Sequence, residues 1–315
     1  MDPAGLHAFL AVADSGSFSA AGERLHLTQP AISKRIAGLE QGLGRRLFDR
    51  IGRQVALTEA GHALLPRARR ILAELDDTRR ALDNLDAMVG GRLLLATSHH
   101  VGLHRLPPLL RRFGREHPRV ALDIRFLDSE QAWDEVLHGR VDLAVTTLGP
   151  ARAPLRTVAV WDDPLEFVVA PDHPLAGRRQ VRLRDLAAHP AVLPDADTFT
   201  HRIVAARLAA EGLAPALRMT SNHLETLKML VGVGLAWSVL PRTMLDAQVA
   251  VLRVPGVRLR RQLGHVAHTG RTLSNAARAF VAQLDAEAAR GAVSPPLPPA
   301  APGTRPRTAP AGTAG

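Results

Sequence analysis

Residues 17–61, SFSAAGERLHLTQPAISKRIAGLEQGLGRRLFDRIGRQVALTEAG, hold three helix starts, a basic hairpin and the punctuation between them. Ser17 and Ser19 are both N-cap candidates for a helix running through Leu25, with Ala20, Ala21 and Leu25 turned inward. Thr28 caps the next helix, Gln29 to about Gln41, and Pro30 falls in its first turn, where a missing N–H costs nothing. Ile32, Ile36 and Leu39 are its apolar stripe, and Gly42 and Gly44 stop it. Upstream, Leu6, Phe9, Leu10 and Ala13 repeat at helical spacing until Gly16. Downstream, residues 46–50 and 54–57 are strand-like pieces joined by Ile51-Gly52-Arg53, a hairpin tip. Thr58 then caps a long helix that opens on Glu59.

Short helices, a capped third helix and a hairpin make a head suited to reading DNA. A helix that enters the major groove needs polar side chains on its exposed N-terminal turns, and Gln29, Ser33 and Lys34 stand there. Gln29 can bond an adenine edge through both ends of its amide. Lys34 and Arg35 can meet phosphates, and Arg53 at the hairpin tip can reach the neighbouring backbone or minor groove. Charge placement agrees. Between Arg24 and Arg53 the basic residues Arg24, Lys34, Arg35, Arg45, Arg46, Arg50 and Arg53 face only Glu40 and Asp49. The alternative for the same residues is a plain three-helix bundle with a solvated basic face.

The long helix carries a heptad seam, Leu64, Ala68, Ile71, Leu75, Thr78, Leu82, Leu85 and Val89, interrupted only by Thr78. A lone helix must bury such a seam, and a symmetric copy is the simplest partner. From Arg92 strands and helices alternate. Strands are expected at 93–97, 120–127, 142–147, 166–170 and 191–193, with helices at 103–117, 130–138, 202–211, 224–233 and 275–290. That order argues for an α/β region with a largely parallel sheet, as one domain or two small lobes. Residues 291–315 form a Pro/Ala/Gly-rich tail expected to be disordered.

Composition narrows the function classes. The 315-residue chain has a formal charge of +10 and no cysteine, which excludes thiolate metal sites and thiol redox sensing by this chain. No secretory signal pattern opens it, and its longest strongly apolar stretch, residues 229–241, is too short for a bilayer. A cytoplasmic location without membrane association is expected. Nucleophile elbows, Walker loops and dinucleotide fingerprints are absent, so no enzyme is expected. Asp162-Asp163 and Asp195/Asp197 read as turn-forming acids beside prolines. Thr97-Ser98-His99-His100, between a strand and a helix, offers hydroxyls and free N–H groups that favour an anion. His104 and Arg105 follow one turn later. His99 and His100 also invite a metal, but adjacent residues on a turn rarely face one ion, and no metal or other cofactor is expected.

LTQPAISKRIAGLEQGLGRRLFDRIGRQVALTEAG resembles the winged helix-turn-helix of LysR-type transcriptional regulators, and the resemblance extends over about residues 4–290. HPLA at 173–176 and VGVGLAWSVLP at 231–241 are similar to the family's second lobe. Gly22 departs from it, since alanine is more usual there, and should cost some helix stability. The resemblance implies an α/β protein overall: a winged head (1–58), a dimerisation linker helix (59–90) and a two-lobed effector domain like a periplasmic binding protein (91–290). Lobe 1 would take about 91–161 and 268–290, lobe 2 about 162–267. It further implies sequence-specific binding of double-stranded promoter DNA by a homodimer or homotetramer, through a helix-turn-helix from about Phe18 to Ala37. The contacts would come from Thr28, Gln29, Pro30, Ser33, Lys34, Arg35, Arg50 and Arg53. RNA polymerase would be a partner if the protein activates. A small-molecule co-effector, expected to be a small anion, would sit between the lobes against Thr97, Ser98, His99, His100, Thr147, Thr198, Thr200 and Asn222.

Overall fold

The computed structural model describes residues 2–51, 54–85 and 88–293. The head is α1 (Pro3–Ser15), α2 (Phe18–Leu25), α3 (Gln29–Leu43) and a hairpin of β1 (Phe48–Ile51) with β2 (Gln54–Leu57). Its caps are local chemistry. Ser17 and Thr28 accept from the N–H groups of Ala20 and Ala31, and Thr58 accepts from Gly61 N–H at 3.0 Å while donating to Arg46 O at 2.7 Å. Ser17, not Ser19, starts α2. Gly42 does not stop α3; the helix runs on to Leu43, and Gly44 ends it at φ 63°. The helix-turn-helix expected from about Phe18 to Ala37 takes in α2, the turn and the first half of α3. Ala37 is an exposed interior position of α3, and the second helix of the unit continues past it to Leu43 because Leu39 still packs in the head's core. Phe48 seats the hairpin on the helices, with its ring 5.4 Å from Phe9 and 5.8 Å from Phe18. Glu40 ties α3 to the strand by accepting from the N–H groups of Leu47 and Phe48.

Gly22 proves to be required by the turn after α2. A Cβ there would lie 2.7 Å from the Leu27 carbonyl oxygen, so alanine would collide with backbone.

The linker helix, α4, spans Glu59–Asp83 and is shorter than the seam suggested. The seam also divides. Leu64 and Ala68, with Leu72 beside them, are buried in the head's own core. Farther along, Leu82 is 62% exposed, and past the helix end Leu85 is 81% exposed. The last turns of α4 are fastened to the following domain. Arg80 pairs with Asp77, lies 3.5 Å from Asp142 and donates to Thr272 O at 2.9 Å. Asn84 donates to Leu273 O and accepts from Asn275 N–H.

The remaining elements are β3 (Gly91–Thr97), α5 (His99–His104), α6 (Pro107–Glu116), β4 (Val120–Phe126), α7 (Ser129–Leu137), β5 (Leu143–Thr147), β6 (Leu155–Val169), α8 (Leu183–Ala187), β7 (Pro190–Leu193), α9 (Phe199–Ala209), β8 (Ala216–Thr220), α10 (Leu224–Gly232), β9 (Ser238–Pro241), β10 (Ala250–Val251), β11 (Leu259–His268) and α11 (Asn275–Val293). The expected single helix at 103–117 is two helices, and the strand expected at 166–170 is the end of the 15-residue β6. The sheet is mixed. β3 is parallel to β4 and β5, but β11 runs antiparallel to β5 and β6, and β9 and β10 join β6 antiparallel.

Two lobes follow from this topology. One core gathers Leu93, Leu143, Leu263 and Phe280; another gathers Phe167, Leu193, Trp237 and Leu259. β6 and β11 belong to both, so they are the crossover. Leu263–Val266 already pair with β5, which puts the return to lobe 1 nearer 263 than 268. Within the crossover the two strands slip register between Leu263 and Gly264, leaving Val160 as the extra residue. A Cβ on Gly264 would come within 2.0 Å of Val158 O, so this bulge admits only glycine.

Candidate functional site

Two constellations stand out. On the head, α3 presents its first turns to solvent: Thr28, Gln29, Pro30 and Lys34 are exposed, and Ser33 and Arg35 half-exposed. Gln29 Nε2 donates to Ser33 Oγ at 3.0 Å, which orients both side chains one turn apart on one helix face. Arg50 lies in β1 opposite Val55, and Arg53 lies outside the described residues.

The second constellation is the cleft between the lobes, a cavity of about 50 Å³ lined in part by Ser98, His99, His100, Thr147, Thr198, Thr200 and Asn222. Its floor is formed by the crossover strands. Arg261 on β11 is the register partner of Asp163 on β6. Arg261 Nε donates to Asp163 Oδ2 at 2.8 Å, and its Nη1 donates to Thr200 Oγ1 at 2.8 Å. Arg105, at the end of α5, donates to the other Asp163 oxygen at 3.3 Å. Arg261 is 6% exposed and Asp163 fully buried. Such a pair persists only with both partners and good geometry.

His100 completes the floor. Burial first, and then the Arg261 charge, hold its pKa down at about 3, so it is a neutral imidazole with one donor and one acceptor. The upper cleft is acidic and stitched across the lobes. Asn222 donates to Asp128 at 2.8 Å and to Asp195 at 3.1 Å. Glu130 accepts from the Phe199 N–H at 2.5 Å, and burial pushes its carboxyl above its usual value. His104 meets Glu225 at 3.0 Å, and the rings of His99 and His223 stand 4.5 Å apart.

Comparison with known proteins covers both regions of the chain. Residues 4–62 match the family model described as bacterial regulatory helix-turn-helix protein, lysR family, and residues 87–289 match the LysR substrate binding domain. The chain belongs to the LysR family of transcriptional regulators. This LysR-type chain is 32% identical over 292 residues to the RuBisCO operon transcriptional regulator of Allochromatium vinosum, covering 90% of this chain and 96% of that protein. It is 75% identical over 108 residues to an uncharacterised helix-turn-helix regulator of Azotobacter vinelandii, 34% of this chain and 75% of that one. Among solved structures, full-length CbnR complexed with its target DNA has a TM-score of 0.62 at 24% identity, over 92% of this chain and 100% of that chain. That last likeness establishes the fold. The relatives are transcriptional regulators rather than enzymes, and this regulator is a DNA-binding protein with a domain for a small-molecule effector. Among the described residues no helix is long and apolar enough to cross a membrane.

Of the eight cleft residues expected, the structure brings seven to the cavity. Thr97 is not among them: it is buried in β3 with its hydroxyl donating to Val145 O at 2.7 Å. Thr198 and Asn222 reach the cavity already engaged, the first as the cap of α9 and the second as the stitch between Asp195 and Asp128. Reading Asp163 as a turn acid is overturned, because it lies mid-strand under two guanidinium groups. Arg261 was missed altogether. Its signal was the alternation of β11, where Leu259, Arg261 and Leu263 point inward and Arg260 and Gln262 outward: an arginine on the core side of a strand needs a partner.

Proposed function

We propose that this regulator is a homodimer or homotetramer that reads an interrupted palindrome in promoter DNA and is switched by a small anion bound between its lobes. The heads would be joined through the exposed part of the α4 seam, from Ile71 onward. Thr28, Gln29, Pro30 and Ser33 would face bases, and Lys34, Arg35, Arg50 and Arg53 the sugar–phosphate backbone. Ser98, His99, His100, Thr147, Thr198, Thr200 and Asn222 would form the effector wall. RNA polymerase would be a further partner where the protein activates. The observation that carries this reading is the cleft floor, where Arg261, on a strand shared by both lobes, and Arg105, at the end of α5, meet the single Asp163 carboxylate. A ligand held there would contact both lobes at once and so favour the arrangement that brings them together, the requirement for a population shift.

Footprints and DNA bend angles of the full-length protein, with and without candidate organic anions, test it. An anion that changes the footprint is the expected result, and identical footprints across the anions would count against effector control. On the DNA side, Gln29→Ala or Ser33→Ala should relax discrimination between operator sequences, each good base contact being worth about 1–3 kcal/mol. Unchanged preference after Ser33→Ala would remove α3 from the groove.

A further inference from the structure

The floor and the acidic stitching at the mouth of the cleft ask for different things from one ligand. On the floor, Arg261 Nη2, Arg105 Nε and both ring nitrogens of His100 are buried without a hydrogen-bond partner among the described residues. Buried donors are normally satisfied, and Arg261 Nη2 and the N–H of His100, on two residues that line the cavity, suit an oxyanion. Two guanidinium groups against one carboxylate leave a single positive charge there, enough for a monoanion. On the opposite wall, Asp128 and Glu130 line the same cavity. Each has one oxygen committed, to Asn222 and to the Phe199 N–H respectively. Their remaining lone pairs accept hydrogen bonds and repel a second negative charge.

From these two ends we infer that the cleft takes a small monocarboxylate carrying a hydrogen-bond donor, a hydroxyl or an ammonium group, with Arg261 as its anchor. The carboxylate lies against Arg261 Nη2 and the N–H of His100, and the donor faces Glu130 and Asp128. Size agrees with this class. At about 10–15 Å³ of such volume per water, the cavity of about 50 Å³ holds a molecule of a few heavy atoms. Inorganic dianions exceed the single charge of the floor and bring no donor to the wall. Arg261 then has a specificity role that its place on a crossover strand makes consequential, since its other two contacts already join Asp163 to Thr200 of lobe 2.

This inference rests on the effector reading above, and its test separates the two. Isothermal titration of the full-length protein at fixed ionic strength would compare propionate, lactate, alanine, 1,2-propanediol and sulfate. Lactate or alanine should bind at least tenfold tighter than propionate, and whichever of the two does so identifies the donor. Propanediol and sulfate should bind no tighter than propionate. Arg261→Gln should weaken the preferred acid at least thirtyfold. Because that variant removes the partner of a buried carboxylate and can fail to fold, Glu130→Gln at the rim gives the second reading. It should cut the advantage over propionate at least threefold, while propionate itself binds no more weakly because a negative charge has left the cavity. The proposal is overturned if no carboxylate binds, if sulfate or propanediol matches the best acid, or if Glu130→Gln leaves the preference intact. Footprints answer the other question: an acid that binds through Arg261 without altering the footprint keeps the anchor and removes the effector control.

Discussion

The head and the cleft floor both present cationic side chains, and they hold them in opposite ways. On α3, Lys34 and Arg35 stand at the surface beside a dry core of Phe9, Ile32 and Ile36. Their attraction for a polyanion is long-ranged and salt-sensitive. In the cleft, Arg261 is buried against Asp163 on neighbouring strands. Its charge cannot act at a distance, but its direction is fixed and its loss is costly. One region finds a partner by its field, the other by its geometry.

The largest effect should come from breaking the buried side of this contrast. Asp163→Ala leaves Arg261 and Arg105 uncompensated and should cost about 3–5 kcal/mol of stability, read from urea denaturation of the effector domain's transition. A loss below about 1 kcal/mol would mean the floor is wetter than its burial shows. Next comes pH. His100 keeps its proton only below about pH 3 when folded, whereas in an unfolded chain an imidazole takes one near pH 6.5. Between those values the unfolded state binds the extra proton, so stability rises with pH and is lost on acidification. His100→Asn should flatten that dependence by up to about 1.4 kcal/mol per pH unit, measured as denaturation free energy from pH 6.5 down to 4.5. An unchanged slope would place His100 in solvent.

On the head, Gly22→Ala should destabilise by about 1–3 kcal/mol through overpacking against the Leu27 carbonyl. A rise in melting temperature would restore the reading of Gly22 as a mere helix-propensity cost. The smallest change in folding belongs to the surface. Lys34→Ala should move stability by no more than about 0.5 kcal/mol while reducing the salt slope of operator binding by about 1. A salt titration of DNA affinity with no change in slope would take Lys34 off the phosphate backbone.

The two regions also differed in how far the sequence disclosed them. Ser17, Thr28, Thr58 and Pro30 announce helix starts because capping is a matter of three or four consecutive residues. The basic hairpin and apolar stripes are similarly local. The cleft is assembled from residues far apart in the chain. Asp163 and Arg261 are separated by 98 positions, and nothing near either one names the other. Asp163 was masked by Pro164, which reads as a turn. In the structure β6 runs through that proline because β9 joins only from Leu165, so Pro164 stands where β6 has β11 alone beside it. β11 was hidden by its charge, since Arg258, Arg260 and Arg261 obscure the inward alternation of Leu259 and Leu263. Thr97 misled in the other direction: a hydroxyl at a strand end looks available until its carbonyl partner on the next strand is known.

The fastening of α4 has a kinematic consequence. Arg80 and Asn84 tie the linker to residues 272–275 at the start of α11, which packs in lobe 1. Head, linker and lobe 1 are therefore fastened as one side of the molecule, and lobe 2 joins it through the crossover strands. With the operator as the reference frame, a turn about the register slip at Gly264 and Val160 would leave the same protomer's Gln29 where it was and swing the outer face of lobe 2. In the assembly proposed above, such motion would reach a second reading head through a neighbouring subunit that holds that face, so the transmission ratio would be set by the assembly rather than by the protomer.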